Sequence, residues 1–168
     1  MILAIDVFYN ENNTAKIVGI LFEKWEDQSP KETVIEYLDD IAPYEPGSFY
    51  KRELPCILKL LSSIDPNILQ TIIIDGYVYL NDDNKYGLGA YLYDSLEQKT
   101  PIIGVAKTPF HDNKKNVVEV FRGASKNPLY ISAIGMDVNL ASEFVIKMHG
   151  DFRFPSLLKT LDQETKTT

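Results

Sequence analysis

Two aspartates occupy matching positions: Asp6 closes the apolar run "ILAID" and Asp75 closes "TIIID". Both runs are short and rich in β-branched residues, so they read as buried strands with a carboxylate at the carboxyl end. Ligands of open α/β sheets gather outside those ends. If the two strands are neighbours, both carboxylates reach one hard divalent cation. Such an ion takes oxygen ligands and is often held by one or two carboxylates plus substrate phosphates. Glu53 follows the rigid turn "PYEPG" by a few residues and is a third candidate. A lone aspartate at a strand end usually serves a turn. Two at matched ends, with a glutamate nearby, bring a metal site level with that plainer reading, and spacing alone leaves both open.

Lys107 ends the next apolar run, "PIIGVAK". It is either a solvated charge at a strand terminus or a cation placed to stabilise a phosphate in a transition state. His111 and His149 lack partners at metal-ligand spacing and read as loop or helix-surface residues. Cys56, the single cysteine, falls on an apolar helix face and reads as a core thiol, with no internal disulfide to indicate an oxidising compartment. No Walker A, GxGxxG, GxSxG or CxxC pattern occurs, so nucleotide-cofactor and thiol chemistry lack support.

The elements that must position these residues follow from periodicity. "ILAIDVFY", "AKIVGILFEKW" and "ETVIEYL" read as three hairpin-joined strands. Pro43, Pro46 and Gly47 mark a loop, after which Phe49, Leu54, Ile57, Leu58, Leu61 and Ile64 predict a helix over 48–64. Next come a strand in "LQTIIIDG", a helix in "YGLGAYLYDSLEQ" and a strand in "TPIIGVAK". A hairpin of "KNVVEVFRG" with "NPLYISAI" follows, then a helix in "DVNLASEFVIKMHG" capped by Asp137 or Asn139. A short helix over 156–162 closes one domain, 1–163, and 164–168 reads as a frayed tail. This order predicts a mixed α/β sheet with flanking helices: an antiparallel three-strand meander on one side and parallel strands on the other. The ribonuclease H-like arrangement is the best-known fold of that order. A flavodoxin-like sheet would need a helix between the first strands, and none is visible.

At 168 residues, 45% hydrophobic and 24% charged, the chain has the composition of one soluble globular domain. The start "MILAIDVFY" reads as a strand rather than a leader, and no apolar run is long enough to span a bilayer. The expected address is the cytoplasm, with no membrane partner. A net charge of −7 argues against tight, nonspecific nucleic-acid binding. The local runs "FYKRE", "HDNKKN" and "GASKN" still allow contact with a few phosphates.

Together, "AIDVFY", "PYEPGSFYKRELP", "IIIDG", "GLGAYL", "PIIGVAK", "KNPLYIS" and "RFPSLLKTLD" resemble the ordered motifs of endonuclease V. That family comprises Mg²⁺-dependent nucleases cutting near deoxyinosine in DNA or inosine in RNA. The resemblance covers almost the whole chain. It implies that Asp6, Glu53 and Asp75 hold Mg²⁺, or Mn²⁺ in its place, with Asp162 a late acidic residue near the metal. Lys107 would lie near the scissile phosphate. Tyr44 would be the wedge aromatic of its Pro-Tyr-x-Pro-Gly loop, with Pro43, Gly47, Gly76 and Asn81 completing the substrate-binding set.

The departures from the family pattern are local. After Asp75 the family has Asp-Gly-His-Gly, then His-Pro and two arginines, whereas this chain has "DGYVYLNDDNKYGLG" with one extra residue. Asn81 falls near the family's histidine, and Asp82 and Asp83 near its arginines, so attraction for phosphate becomes repulsion there. A later Gly-His-Arg is "GMD" here. Two expectations result: a metal-dependent phosphodiesterase cutting near inosine or deaminated bases in DNA or RNA, or a weakened or repurposed paralogue serving as a binding module. Tyr77, Tyr79, Tyr86, Tyr91 and Tyr93 add either a partner surface or core.

Overall fold

A computed structural model of the chain describes residues 1–110 and 112–167. His111 and Thr168 lie outside them, and with His111 its reading as a loop residue. Seven strands form one sheet: β1 (Ile2–Tyr9), β2 (Ala15–Phe22), β3 (Glu32–Leu38), β4 (Thr71–Asp75), β5 (Ile102–Ala106), β6 (Val118–Val120) and β7 (Leu129–Ile134). Their order across the sheet is β3-β2-β1-β4-β5-β7-β6. The β1–β2 and β2–β3 pairs are antiparallel, and β1–β4 and β4–β5 are parallel. The meander and the parallel strands therefore lie as the periodicity predicted, and β5–β7 and β7–β6 return to antiparallel pairing.

Four helices cover the two faces: α1 (Tyr50–Leu61), α2 (Leu88–Ser95), α3 (Val138–Lys147) and α4 (Ser156–Lys166). Alternate side chains of each strand point to opposite faces, so the core splits in two. Leu3, Ile5, Ile72 and Ile74 pack with Cys56, Ile57 and Leu60 of α1 and with Leu88 and Leu92 of α2. Ala4, Val18, Ile73 and Ile103 pack with Ala141 and Val145 of α3 and with Leu157 and Leu161 of α4. Packing, not capping, holds α1, which has no side-chain cap and carries Pro55 in its second turn. Asp137 caps α3 by accepting from the Asn139 amide at 3.1 Å. Cys56 is buried as expected, and burial pushes its thiol up to about 11.

Two boundaries differ from the sequence expectation. The α1 helix is shorter than 48–64, because Ser63 and Ile64 turn back on Leu60 and Leu61 in tight i→i+3 bonds. The α4 helix is longer than 156–162, so residues through Thr167 are not a frayed tail. The buried Lys16 ammonium, from β2, reaches the last turn and donates to the Glu164 and Thr167 carbonyls at 2.8 and 2.7 Å. These are carbonyls a helix end leaves unpaired. No helix among the described residues is long and apolar enough to cross a membrane.

Candidate active site

Strand register brings the chemistry together. Ile5 of β1 pairs with Ile74 of β4 in parallel, so Asp6 and Asp75 are the next residues of adjacent strands. Asp75 pairs with Val105 of β5, and Lys107 lies just beyond that strand. Since Ile5 and Ile74 face α1, the aspartates turn toward α4. There Asp6, Asp75, Lys107 and Asp162 line one polar pocket of about 210 Å³. Glu53 comes from α1, on the opposite face, and is buried at 8% exposure. Among the described residues no three His, Cys, Asp or Glu side chains are gathered closely enough to hold one ion.

These carboxyls are held protonated more readily than in water. Burial, with repulsion from Asp75 and Asp162, pushes Asp6 up to about 6. Burial pushes Glu53 up to about 8, with smaller contributions from Asp6 and Asp75, while Tyr9 and Arg52 pull it down. Burial and Asp162 raise Asp75, and the nearby Lys107 opposes them. The Tyr9 hydroxyl is buried beside Glu53 without closing a well-formed hydrogen bond, and the Arg52 guanidinium lies 3.7 Å from the Tyr9 ring centre. Crowded, desolvated carboxyls such as Asp6 and Asp75 are what a cation would neutralise.

Lys107 is itself held in place by residues that the sequence reading passed over. Arg153 donates to the Lys107 carbonyl at 2.6 Å and to the Pro128 carbonyl at 2.7 Å. The Lys107 ammonium lies 4.2 Å from the centre of the Phe154 ring, within cation–π range. Arg122 is buried at 5% exposure and donates to the Phe152, Met148 and Gly150 carbonyls at 2.7, 2.6 and 3.1 Å. Its role is to clasp the connection between α3 and α4. An arginine in "VFRGA" carries no sequence signal for that, because all three partners lie more than 25 residues away.

A second, wider pocket of about 440 Å³ opens on the other side of Asp75 and Lys107. Its wall includes Tyr44, Phe49, Tyr50, Tyr77, Leu80 and Phe110, together with Gly47 and Gly76. Gly76 adopts φ +114°, which lets the chain turn sharply directly after Asp75. Tyr44 is 60% exposed on the loop before α1, so it is a presented ring and not a packed one. Pro43, beside it, is exposed. Of the five tyrosines singled out, Tyr77 is buried in this wall, while Tyr91 stacks on Tyr50 at 3.8 Å and meets Tyr86 edge-on at 5.2 Å.

Asn81 lies in an adjoining groove with Gly47, Asp82, Asp83 and Asp112. Its side-chain oxygen is already engaged, accepting from the Asp83 and Lys85 amides at 3.0 and 3.1 Å. Asp82 likewise accepts from the Lys114 and Lys115 amides at 2.7 Å each. The segment that departs from the family pattern is thus closed onto the 112–116 loop by its own polar side chains. Asp162 pairs with Lys166 one turn on, at 3.0 Å. His149 is an exposed residue sharing a 2.9 Å hydrogen bond with Ser156, away from the cleft.

Comparison with known proteins identifies the family and the fold. The endonuclease V family model matches residues 1–124. An endonuclease V of Rippkaea orientalis (strain PCC 8801 / RF-1) is 28% identical over 187 residues, spanning 96% of this chain and 77% of that protein. The crystal structure of Ciona intestinalis endonuclease V, in complex with a 24mer DNA containing an inosine followed by a ribo-adenosine, superposes with a TM-score of 0.78. It is 18% identical, with 98% of this chain and 83% of that one covered. Human ENDOV gives a TM-score of 0.72 at 20% identity, covering 98% and 82%. These two likenesses establish the ribonuclease H-like fold. With the family model matching well over half of its length, the chain belongs to the endonuclease V family of nucleases.

Proposed function

We propose that the protein is a metal-dependent nucleic-acid phosphodiesterase that cuts beside a displaced base, inosine being the first candidate. One observation carries this reading: Asp75 and Lys107 line both pockets. A phosphate at that shared wall has the carboxylates on one side and a base-sized recess on the other. The recess volume, about 440 Å³, lies in the range of small-ligand sites.

Asp6 and Asp75 are the residues that would hold a Mg²⁺ or Mn²⁺ ion, with water and phosphate oxygens completing its shell. Two carboxylates suffice for such an ion, so the separate position of Glu53 is no obstacle. When bound, the ion supplies an activated water and stabilises charge on the leaving oxygen. Asp6 and Asp75 must give up their protons to receive it. Lys107 places its ammonium against the phosphate and offsets the charge that grows there. Tyr44, held by Pro43, Pro46 and Gly47, stacks where the displaced base leaves a gap. Weakly paired bases such as inosine cost least to displace.

A second reading, a repurposed binding module, is favoured by the Asn81–Asp82 segment, whose side chains serve its own closure. The test that separates the two uses end-labelled DNA and RNA, single- and double-stranded, each with and without one inosine, in Mg²⁺ or Mn²⁺. Cutting one bond beyond the inosine, abolished in Asp75→Ala, is the expected result. Cutting without inosine preference would retire the base specificity, and no cutting of any strand would favour the binding module.

A further inference from the structure

We propose that Phe121 and Phe152 form a stacking platform for unpaired nucleotides adjoining the phosphate at Lys107. The proposal rests on the nuclease reading above and names the form of substrate it takes. Phe152 and Phe121 are 73% and 59% exposed, and the fold brings their segments together. Their backbones are held together: Arg122, next to Phe121, donates to the Phe152 carbonyl at 2.7 Å. Gly123 has φ +60°, and a Cβ there would collide with the Asp151 carbonyl, so the two segments lie in direct contact. The fold thus holds the backbones that carry the two exposed rings side by side.

This support runs into the cleft without a break. Phe152, Arg153 and Phe154 are consecutive. Arg153 is bonded to the Lys107 carbonyl, and Phe154 lies beneath the Lys107 ammonium. Lys159 stands 6.0 Å from the Phe152 ring centre, so a cation accompanies the platform as it does the phosphate site. Asp151 is the acidic residue of this patch, and it interacts with Arg122. Exposed rings beside lysines suit bases next to phosphates, since stacking on an aromatic ring favours any base regardless of its identity. Paired bases hide their faces in the duplex. The occupant is therefore an unpaired stretch of nucleic acid on the flank of the cleaved bond opposite the Tyr44 pocket.

The test measures fluorescence anisotropy of a labelled single strand and of its fully paired duplex. Binding is followed in Mg²⁺ with Asp75→Asn as the background that prevents cutting. Adding Phe121→Ala and Phe152→Ala together is expected to weaken single-strand binding about tenfold or more, while duplex binding changes less than about threefold. Phe152→Trp, which keeps a stacking ring, is expected to retain single-strand affinity, and this separates stacking from a folding defect. Equal losses for strand and duplex, or no loss for either, would overturn the platform and leave the nuclease reading intact. If the parent background binds no oligonucleotide and wild type cuts none, the nuclease reading itself fails.

Discussion

On one side of the cleft, three adjacent strands carry Asp6, Asp75 and Lys107; on the other, Tyr44, Gly47 and Asn81 are carried by loops. Asp75 ends β4 and Lys107 follows β5, but Asp6 lies inside β1, which runs on to Tyr9 and does not close at the aspartate as its apolar run suggested. Hydrogen-bond register positions the first group, and a shift of one residue would turn every side chain to the wrong face. The second group depends on local devices: prolines, a glycine with positive φ and side chains that bond their own backbone. A site carried on strands tolerates little change because the core must change with it. A loop-built wall can be rewritten without disturbing the sheet, and the segment after Asp75 is where this chain departs from the pattern of its family.

The comparison predicts a ranking of effects. Asp75→Asn, on the strand wall, should lower kcat about 10³-fold with the fold intact, as read by cleavage rate and circular dichroism. Lys107→Ala should follow, with a loss of about 10²–10³ in kcat and little change in KM. A large rise in KM alone would place Lys107 in binding instead.

The crowded carboxyls make a prediction about stability. Glu53 moves from 4.5 to about 8 and Asp6 from 3.8 to about 6 on folding. A carboxyl held more tightly protonated in the fold stabilises it fully below the unfolded pKa, and that contribution is lost as pH rises through the folded value. Metal-free protein should therefore lose several kcal/mol of stability, on the order of 5, between pH 4 and pH 8, measured by denaturant unfolding with chelator present. Added Mg²⁺ or Mn²⁺ should recover part of that loss at pH 8.

Smaller effects belong to the loop wall. Tyr44→Ala should weaken substrate binding by about 1–3 kcal/mol and leave the melting temperature unchanged, because its ring is already exposed. Asp83→Lys, at an exposed position near the groove, should improve affinity by less than about 1 kcal/mol, and the gain should vanish in high salt. A larger gain would mean that the acidic substitutions there have moved the strand's path.

Much of this was legible in the sequence because it is periodic. The three-strand meander, the parallel β4 and β5, the β6–β7 hairpin and the α1 segment all follow from apolar spacing, and so does Asp75 at the end of β4, whereas β1 continues past Asp6 through its pairing with β2. What escaped depends on distant partners. Lys16 reaches the end of α4 from β2, which is why the tail reads as frayed when taken alone. Arg122 and Arg153 carry no signal in the sequence, because their partners come near only when the chain folds back on them. That the Asn81 oxygen accepts from the Asp83 and Lys85 amides of its own turn was not legible either. Spacing likewise could not tell that Glu53 enters from the opposite face of the sheet.

The most direct test is a double-mutant cycle on metal binding. Mn²⁺ affinity would be measured by calorimetry at pH 8 for wild type, Asp6→Asn, Asp75→Asn and the double variant. If the two aspartates act as one site, each single change costs at least about tenfold in affinity and the double change costs little more than either. Losses that simply add, or an affinity untouched by either change, would contradict a shared ion and with it the reading of this cleft as a metal-dependent nuclease site.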